Sequence, residues 1–204
     1  MKRLLVATLN PGKILEFAEA FSVVGIEIVG LEALSEYEEV EETGDTFEAN
    51  ARIKAEGYSL QCDLPVLADD SGLEVDALAG APGVLSARYG GPGLDDDGRN
   101  RKLLEALCGV AEGERTAHFR CVLALARAGR ALATFEGVVC GRVLEEPRGE
   151  NGFGYDPLFF HPPSGCTTAE LSTQRKRLIS HRGKAIATFL EALRQGDARL
   201  AGVG

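Results

Sequence analysis

The stretch LADDSGLEVDALAGAPGVLSARYGG, Leu67 to Gly91, decides how this chain is read. An apolar run, Leu64–Ala68, leads into two adjacent carboxylates, Asp69 and Asp70, and then into Ser71-Gly72. That order predicts a buried strand ending in a loop, and loops at strand ends are where α/β proteins place binding and catalytic groups. Asp69 and Asp70 are hard oxygen donors of the kind Mg²⁺ takes, one or two at a time, together with water and substrate phosphates. Asp-Asp-Ser-Gly is also a turn sequence, since aspartate and serine bond nearby backbone and glycine supplies positive φ. Ser71 lies outside a G-x-S-x-G elbow, which argues against a serine-hydrolase nucleophile.

Outward from this stretch, helices and strands alternate. Arg3–Thr8 reads as a first strand, followed by the loop LNPGK and a helix carrying Ile14, Phe17, Ala18 and Phe21 at helical spacing. Gly25 ends that helix and Ile26–Leu31 reads as a second strand. The acidic loop EYEEVEETG, Glu36–Gly44, precedes a helix through Phe47, Ala51, Ala55 and Tyr58, for which Asp45 and Glu48 form a capping box. Gly80–Gly93 reads as loop, and a further helix carries Leu103, Leu104 and Leu107. Ala117–Ala126 alternates apolar and polar residues as a strand does, and Ala128-Gly129-Arg130 turns it into a hairpin with Leu132–Val139. A short strand at Leu158–Phe160 and a last helix with Ile186, Phe189, Leu190 and Leu193 complete the α/β pattern with a mixed sheet. Residues 1–196 are expected to form one domain, and 197–204 a frayed tail.

Composition narrows the function. With 204 residues, 45% hydrophobic and 26% charged, the chain is of ordinary globular make-up. A net charge of −9 and the lack of a basic stripe argue against nucleic-acid binding. The five cysteines form no C-x-x-C pair, as expected of reduced thiols in the cytoplasm. The apolar run Leu4–Ala7 is too short for a signal peptide and no segment is long enough to span a membrane.

Four further stretches carry polar groups suited to chemistry. Thr8-x-Asn10-x-x-Lys13 sits on a strand–loop–helix, where free amides and a lysine favour an anion, although it is equally a polar turn and is no Walker A loop. Glu41-Glu42 ends the acidic loop and reads as ligands or as a solvated charge run. Gly152-Phe153-Gly154-Tyr155-Asp156-Pro157 lets a flat ligand approach backbone and stack on Phe153, or is an aromatic-anchored turn. Lys176-x-x-x-Ser180-His181-Arg182-Gly183 brings donors to the start of the final helix, where a lone histidine is also an ordinary cap.

In this order the blocks resemble the inosine triphosphate pyrophosphatase family, enzymes that hydrolyse ITP, dITP and XTP. The matching stretches are ATLNPGK (Ala7–Lys13), EETGDTFEANARIKA (Glu41–Ala55), ADDSGLEVDALAGAPGVLSARY (Ala68–Tyr89), GFGYDPLF (Gly152–Phe159) and AELSTQRKRLISHRGKA (Ala169–Ala185). The resemblance runs from Arg3 to about Leu193. Leu9 stands where the family often has glycine, and Glu48-Ala49-Asn50 where it has ENA.

The resemblance implies an elongated mixed sheet with two lobes and the active cleft between them, a homodimer, Mg²⁺ dependence, and release of monophosphate and pyrophosphate. It places Glu41 and Asp70 on the metal, with Asp70 as proton acceptor for the attacking water; Asp69 competes with Asp70, and Glu42 with Glu41, because neighbouring residues of a strand face opposite sides. It assigns the substrate to Thr8, Leu9, Asn10, Pro11, Gly12 and Lys13, with Ser71 and Lys54, and to Phe153, Gly154, Tyr155, Asp156, Lys176, His181 and Arg182. Arg182 and amides near His181 are expected to donate to a 6-oxo group that adenine lacks, a polar mismatch able to reject an analogue by roughly 10⁴–10⁵. Phe153 is expected to stack on the base, and Asp156 or backbone near Tyr155 to refuse guanine's 2-amino group. The competing readings are a pyrophosphatase for other modified nucleotides and a nucleotide-binding regulator without turnover.

Overall fold

The computed structural model describes residues 2–203. Its element order is β1 (Lys2–Val6), α1 (Pro11–Ser22), β2 (Ile26–Val29), α2 (Phe47–Ser59), β3 (Val66–Val75), α3 (Asp96–Ala106), β4 (Thr116–Arg127), β5 (Arg130–Val143), β6 (Phe159–His161), β7 (Cys166–Thr167), α4 (Thr173–Ile179) and α5 (His181–Arg194). The strands hydrogen-bond in the order β2-β1-β3-β4-β5-β6-β7. β1 runs parallel to β2 and β3, whereas β6 runs antiparallel to β5 and β7, so the sheet is mixed. The tight link between β4 and β5 holds Ala128 and Gly129 at φ 49° and 76°, the two positive values that suit a right-twisted hairpin.

Two compact units divide the chain. The first takes residues up to Asp70, Cys121–Gly137, and the chain from Lys184 onward. Its core joins Leu4 and Val6 of β1, Phe17 and Phe21 of α1, Leu67 of β3, Leu123 of β4, Phe135 of β5 and Phe189 of α5. The ring of Phe189 lies 5.2 Å from Phe21 and 4.9 Å from Phe135. Residues 197–203 of the expected frayed tail are packed: Leu200 and Val203 are buried in this core, a 3₁₀ turn at Ala198–Leu200 carrying them inward, and residue 204 lies outside the described residues. Two apolar side chains outweigh the terminal position, because burying each removes its surface from water.

The second unit takes Ser71–Arg120 and Val138–Gly183. Leu73 and Val75 of β3, Leu103 and Leu107 flanking the end of α3, Phe119 of β4, Val143 of β5, Tyr155 and Phe159 form its core.

Three expectations about local structure change. β3 does not end at the acid pair; Asp69 and Asp70 are its fourth and fifth residues, and the strand continues to Val75. Ser71-Gly72 stays extended because the glycine serves close packing instead of a turn: a Cβ there would stand 2.3 Å from Ser86 Oγ. The cap of α2 is Thr46, whose hydroxyl accepts from the Ala49 amide at 3.1 Å, and not Asp45. Within Gly80–Gly93, Gly83–Arg88 forms a 3₁₀ helix. Among the described residues no helix is long and apolar enough to cross a membrane.

Candidate active site

The pleat of β3 sends Asp69 and Asp70 to different partners, and their surroundings are built from opposite sides of the strand. The Asp69 side chain is fully buried. Its Oδ1 is ion-paired with the Lys13 ammonium, and the Cys121 thiol donates to its Oδ2 at 3.1 Å. Breaking a buried pair of this kind costs about 3–5 kcal/mol, because one charge is left without compensation. Asp69 therefore fixes Lys13, one turn into α1, as a cation of set position.

The loop before Lys13 is more self-contained than the sequence suggests. The Asn10 side-chain oxygen accepts from the amides of Gly12 at 2.9 Å and Lys13 at 3.2 Å, capping α1. The Asn10 amide in turn donates to the Thr8 hydroxyl at 3.1 Å. The amides of Gly12 and Lys13 are thus satisfied internally, and an anion at this helix start competes with the Asn10 cap. Pro11 sits at the first helical position and Leu9 is largely exposed.

On the other side, Lys54 is the hub. From α2 its ammonium reaches the Asp69 carbonyl at 2.8 Å, Asp70 Oδ1 at 3.1 Å and Glu42 Oε1 at 2.8 Å. Burial alone would lower the Lys54 pKa, but the Asp70 and Glu42 carboxylates outweigh it and raise it. Burial pushes Asp70 above the usual carboxylate range, and Glu42 and Asp69 push the same way against the Lys54 ammonium. Asp70 Oδ2 is buried and has no hydrogen-bond partner.

The residue of the acidic loop that joins this cluster is Glu42. Glu41, the glutamate expected at the metal, is exposed, whereas its competitor Glu42 is the one paired with Lys54. The reason lies in how the loop is tied down: Gln61 accepts from the Glu38 amide at 2.7 Å, the Val40 amide reaches the Tyr58 hydroxyl at 3.4 Å, and the Gly44 amide donates to Asn50 at 2.7 Å. Those anchors set which glutamate turns inward. Thr8, Leu9, Lys13, Glu42, Lys54 and Asp69 help line a cavity of about 270 Å³ in this unit.

The second unit gathers the other predicted residues. Arg182 is almost fully buried and donates to the Ser71 hydroxyl at 3.1 Å. Its guanidinium carbon lies 5.7 Å from the centre of the Phe153 ring, and the Lys176 ammonium 4.8 Å from it. A partly exposed ring with two cations near it is able to meet a flat, electron-rich ligand. His181 opens α5 with its ring stacked on Phe119 at 4.7 Å and 13°.

Asp156 is absorbed in holding this platform. Its Oδ2 accepts from the Phe153 amide at 2.8 Å and pairs with Lys176, and its Oδ1 accepts from Thr168 at 2.8 Å. Burial raises the Tyr155 pKa strongly, and its hydroxyl donates to the Ser86 carbonyl at 2.9 Å. Both Asp156 oxygens are thereby engaged within the protein. The other histidines stand apart from both clusters: His118 Nε2 is 3.4 Å from Asp76, and His161 Nδ1 is 2.8 Å from Ser164.

Sequence reading missed Cys121, Asp96 and Asn100. The Gly154 amide donates to Asp96 Oδ2 at 2.7 Å, and Asn100 donates to the Gly154 carbonyl at 3.0 Å. Their i,i+4 spacing was the available signal.

Magnesium, the group implied by the resemblance, meets a suitable donor set here. Among the described residues no three His, Cys, Asp or Glu side chains converge as a metal cage. Mg²⁺ does not require one, since it retains waters and shares its sphere between one or two carboxylates and phosphate oxygens. Asp70 Oδ2, buried and unpartnered, and Glu42 are the two carboxylates that would hold it.

The Ham1 family model matches residues 4–192. The chain is 50% identical over 191 residues to the dITP/XTP pyrophosphatase of Geobacillus kaustophilus, covering 94% of each chain. It is 49% identical over 193 residues to the dITP/XTP pyrophosphatase of Geobacter sulfurreducens, covering 95% of this chain and 97% of that one. Among solved structures, a HAM1 protein from Coxiella burnetii superposes with a TM-score of 0.88 at 41% identity, covering 96% of this chain and 100% of that one. A nucleoside-triphosphatase / dITP/XTP pyrophosphatase from Mycobacterium abscessus gives 0.76 at 42% identity, covering 94% and 99%.

Proposed function

We propose a function from the premise that the chain belongs to the Ham1 family: it hydrolyses non-standard purine nucleoside triphosphates, dITP, XTP and ITP, to the monophosphate and pyrophosphate. The observation that carries the chemistry is Asp70, a buried carboxylate with a raised pKa and one unpartnered oxygen beside Lys54 and Glu42. A base of that kind takes the proton from a water as the water attacks the α-phosphorus. The bond from the α-phosphorus to the bridging oxygen breaks, and pyrophosphate leaves.

Lys13, held by Asp69, offsets phosphate charge without serving as a base, since an ammonium has no acceptor. Lys54 keeps Glu42 and Asp70 close enough to act together despite their like charges. Mg²⁺, held by Asp70 and Glu42 when bound, would neutralise phosphate oxygens and lower the pKa of water. The second unit supplies the base platform, Phe153 with Lys176 and Arg182 close to its ring. Guanidinium and ammonium donors suit the 6-oxo acceptor of hypoxanthine and xanthine and leave the 6-amino group of adenine unmatched.

The resemblance supports a homodimer, and five free cysteines support a cytoplasmic setting. The function is tested by incubating the protein with Mg²⁺ and dITP, XTP, ITP, ATP or GTP in parallel and separating products by anion exchange. Monophosphate and pyrophosphate from dITP, XTP and ITP, with ATP and GTP nearly untouched, is the expected result. A nucleoside diphosphate and phosphate would refute it, and ligand binding without turnover would make the chain a nucleotide-binding regulator.

A further inference from the structure

The Phe153 platform depends on a glycine held from outside. Gly154 has φ 63°, a left-handed backbone that an unconstrained chain leaves easily. Its amide belongs to the peptide linking it to Phe153, and its carbonyl to the peptide linking it to Tyr155. Both are tied to α3: the amide donates to Asp96 Oδ2 at 2.7 Å, and the carbonyl accepts from Asn100 Nδ2 at 3.0 Å. Asp96 and Asn100 lie one turn apart on one helix face. One end of the clamp is held by a further ion pair and the other is packed away from solvent. Arg99 holds the other oxygen of Asp96 at 2.5 Å, and Asn100 is buried. The Phe153 amide is fixed on its other side by Asp156.

We infer that Asp96 and Asn100 are positioning residues for base recognition: by gripping both polar groups of Gly154 from α3 they hold the Phe153 ring in register with Lys176 and Arg182. The inference rests on the base-reading role given above to Phe153. The clamp touches no group assigned to phosphate or water, so its loss weakens recognition of the base and leaves the chemical step alone. A buried donor or acceptor left unpaired at either site corresponds to about a tenfold loss.

The test compares KM and kcat for dITP with the inhibition constant of inorganic tripolyphosphate, which has phosphates and no base. Asn100→Leu, of similar volume but without a donor, and Asp96→Ala should each raise KM about tenfold, with kcat within about twofold and the tripolyphosphate constant unchanged. Asp96→Asn retains an oxygen that can accept from the Gly154 amide and should restore the wild-type KM. Should Asn100→Leu fail to fold, Asn100→Asp removes the same donor at nearly constant size and gives the same reading.

An unchanged KM in Asn100→Leu and Asp96→Ala overturns the clamp, as does a tripolyphosphate constant that rises in step with KM. Phe153→Leu, measured alongside, separates the two levels of the argument. If Phe153→Leu raises KM and the α3 variants do not, the clamp alone is wrong. If Phe153→Leu has no effect, the base-reading role fails and the clamp falls with it.

Discussion

Lys54 Nζ stands 3.1 Å from Asp70 Oδ1, while the second oxygen of the same carboxylate is buried and bonded to nothing. One lysine therefore neutralises half of a carboxylate whose other half is kept ready for another partner. Asp69, one residue earlier and on the opposite face, is bonded at both oxygens, by Lys13 and Cys121. The adjacent acids consequently have separate tasks: one positions a cation, and the other is left able to take a proton or a metal.

Asp70→Asn should reduce turnover of dITP by at least about 10²-fold, the lower end of what a positioned base contributes. Its thermal midpoint should hold or rise, because the substitution removes a buried charge that Glu42 and Asp69 repel. Loss of activity accompanied by a large fall in midpoint would instead make Asp70 a structural residue.

Glu42→Gln and Glu41→Gln separate two neighbours that the sequence leaves undecided. Glu42 pairs with Lys54 at 2.8 Å and Glu41 faces solvent. Steady-state assays should show a loss of about 10²-fold for the first and a change of no more than about twofold for the second. The reverse order would return the metal role to Glu41.

Mg²⁺ without nucleotide should raise the thermal midpoint of the wild-type protein, since a ligand that binds only the folded state stabilises it by mass action. Asp70→Asn should abolish most of that rise. An equal rise in both proteins would place the cation elsewhere.

How much of this was legible beforehand follows from what each residue signals locally. The order of the motif blocks pointed to the family, and helical spacing found Phe17 and Phe21, which are fully buried in α1. The continuation of β3 past the acids was hidden, because Ser-Gly is a turn signal and only the close approach of Ser86 explains the glycine. Glu41 and Glu42 could not be separated, since their orientation is imposed by Asn50 and Tyr58 of α2 and by Gln61 just after it. Asn10 was read as a substrate donor where its oxygen caps α1, both uses being open to an asparagine before a helix. Asn100 gave only its i,i+4 spacing from Asp96 as a signal, since a polar residue in a helix acquires its meaning from the loop packed against it.

The Asp96 carboxyl titrates below its ordinary value: burial pulls it upward, but the Gly154 amide and Arg99 outweigh that pull. A folded-state pKa below the unfolded one means that the unfolded chain binds more protons between the two values, so stability rises with pH there. The stability difference between wild type and Asp96→Asn should be full above the ordinary carboxyl pKa of 3.8 and disappear as pH falls through the lowered value. Urea unfolding from about pH 6 down to about pH 2 would show it. A difference that grows on acidification would contradict the assignment.

The central claim, that water attacks the α-phosphorus, is tested most directly by letting the protein hydrolyse dITP in ¹⁸O-labelled water and locating the label by mass spectrometry. Attack at the α-phosphorus places the label in dIMP and leaves the pyrophosphate unlabelled. Label in the pyrophosphate would show attack at the β-phosphorus and contradict the account.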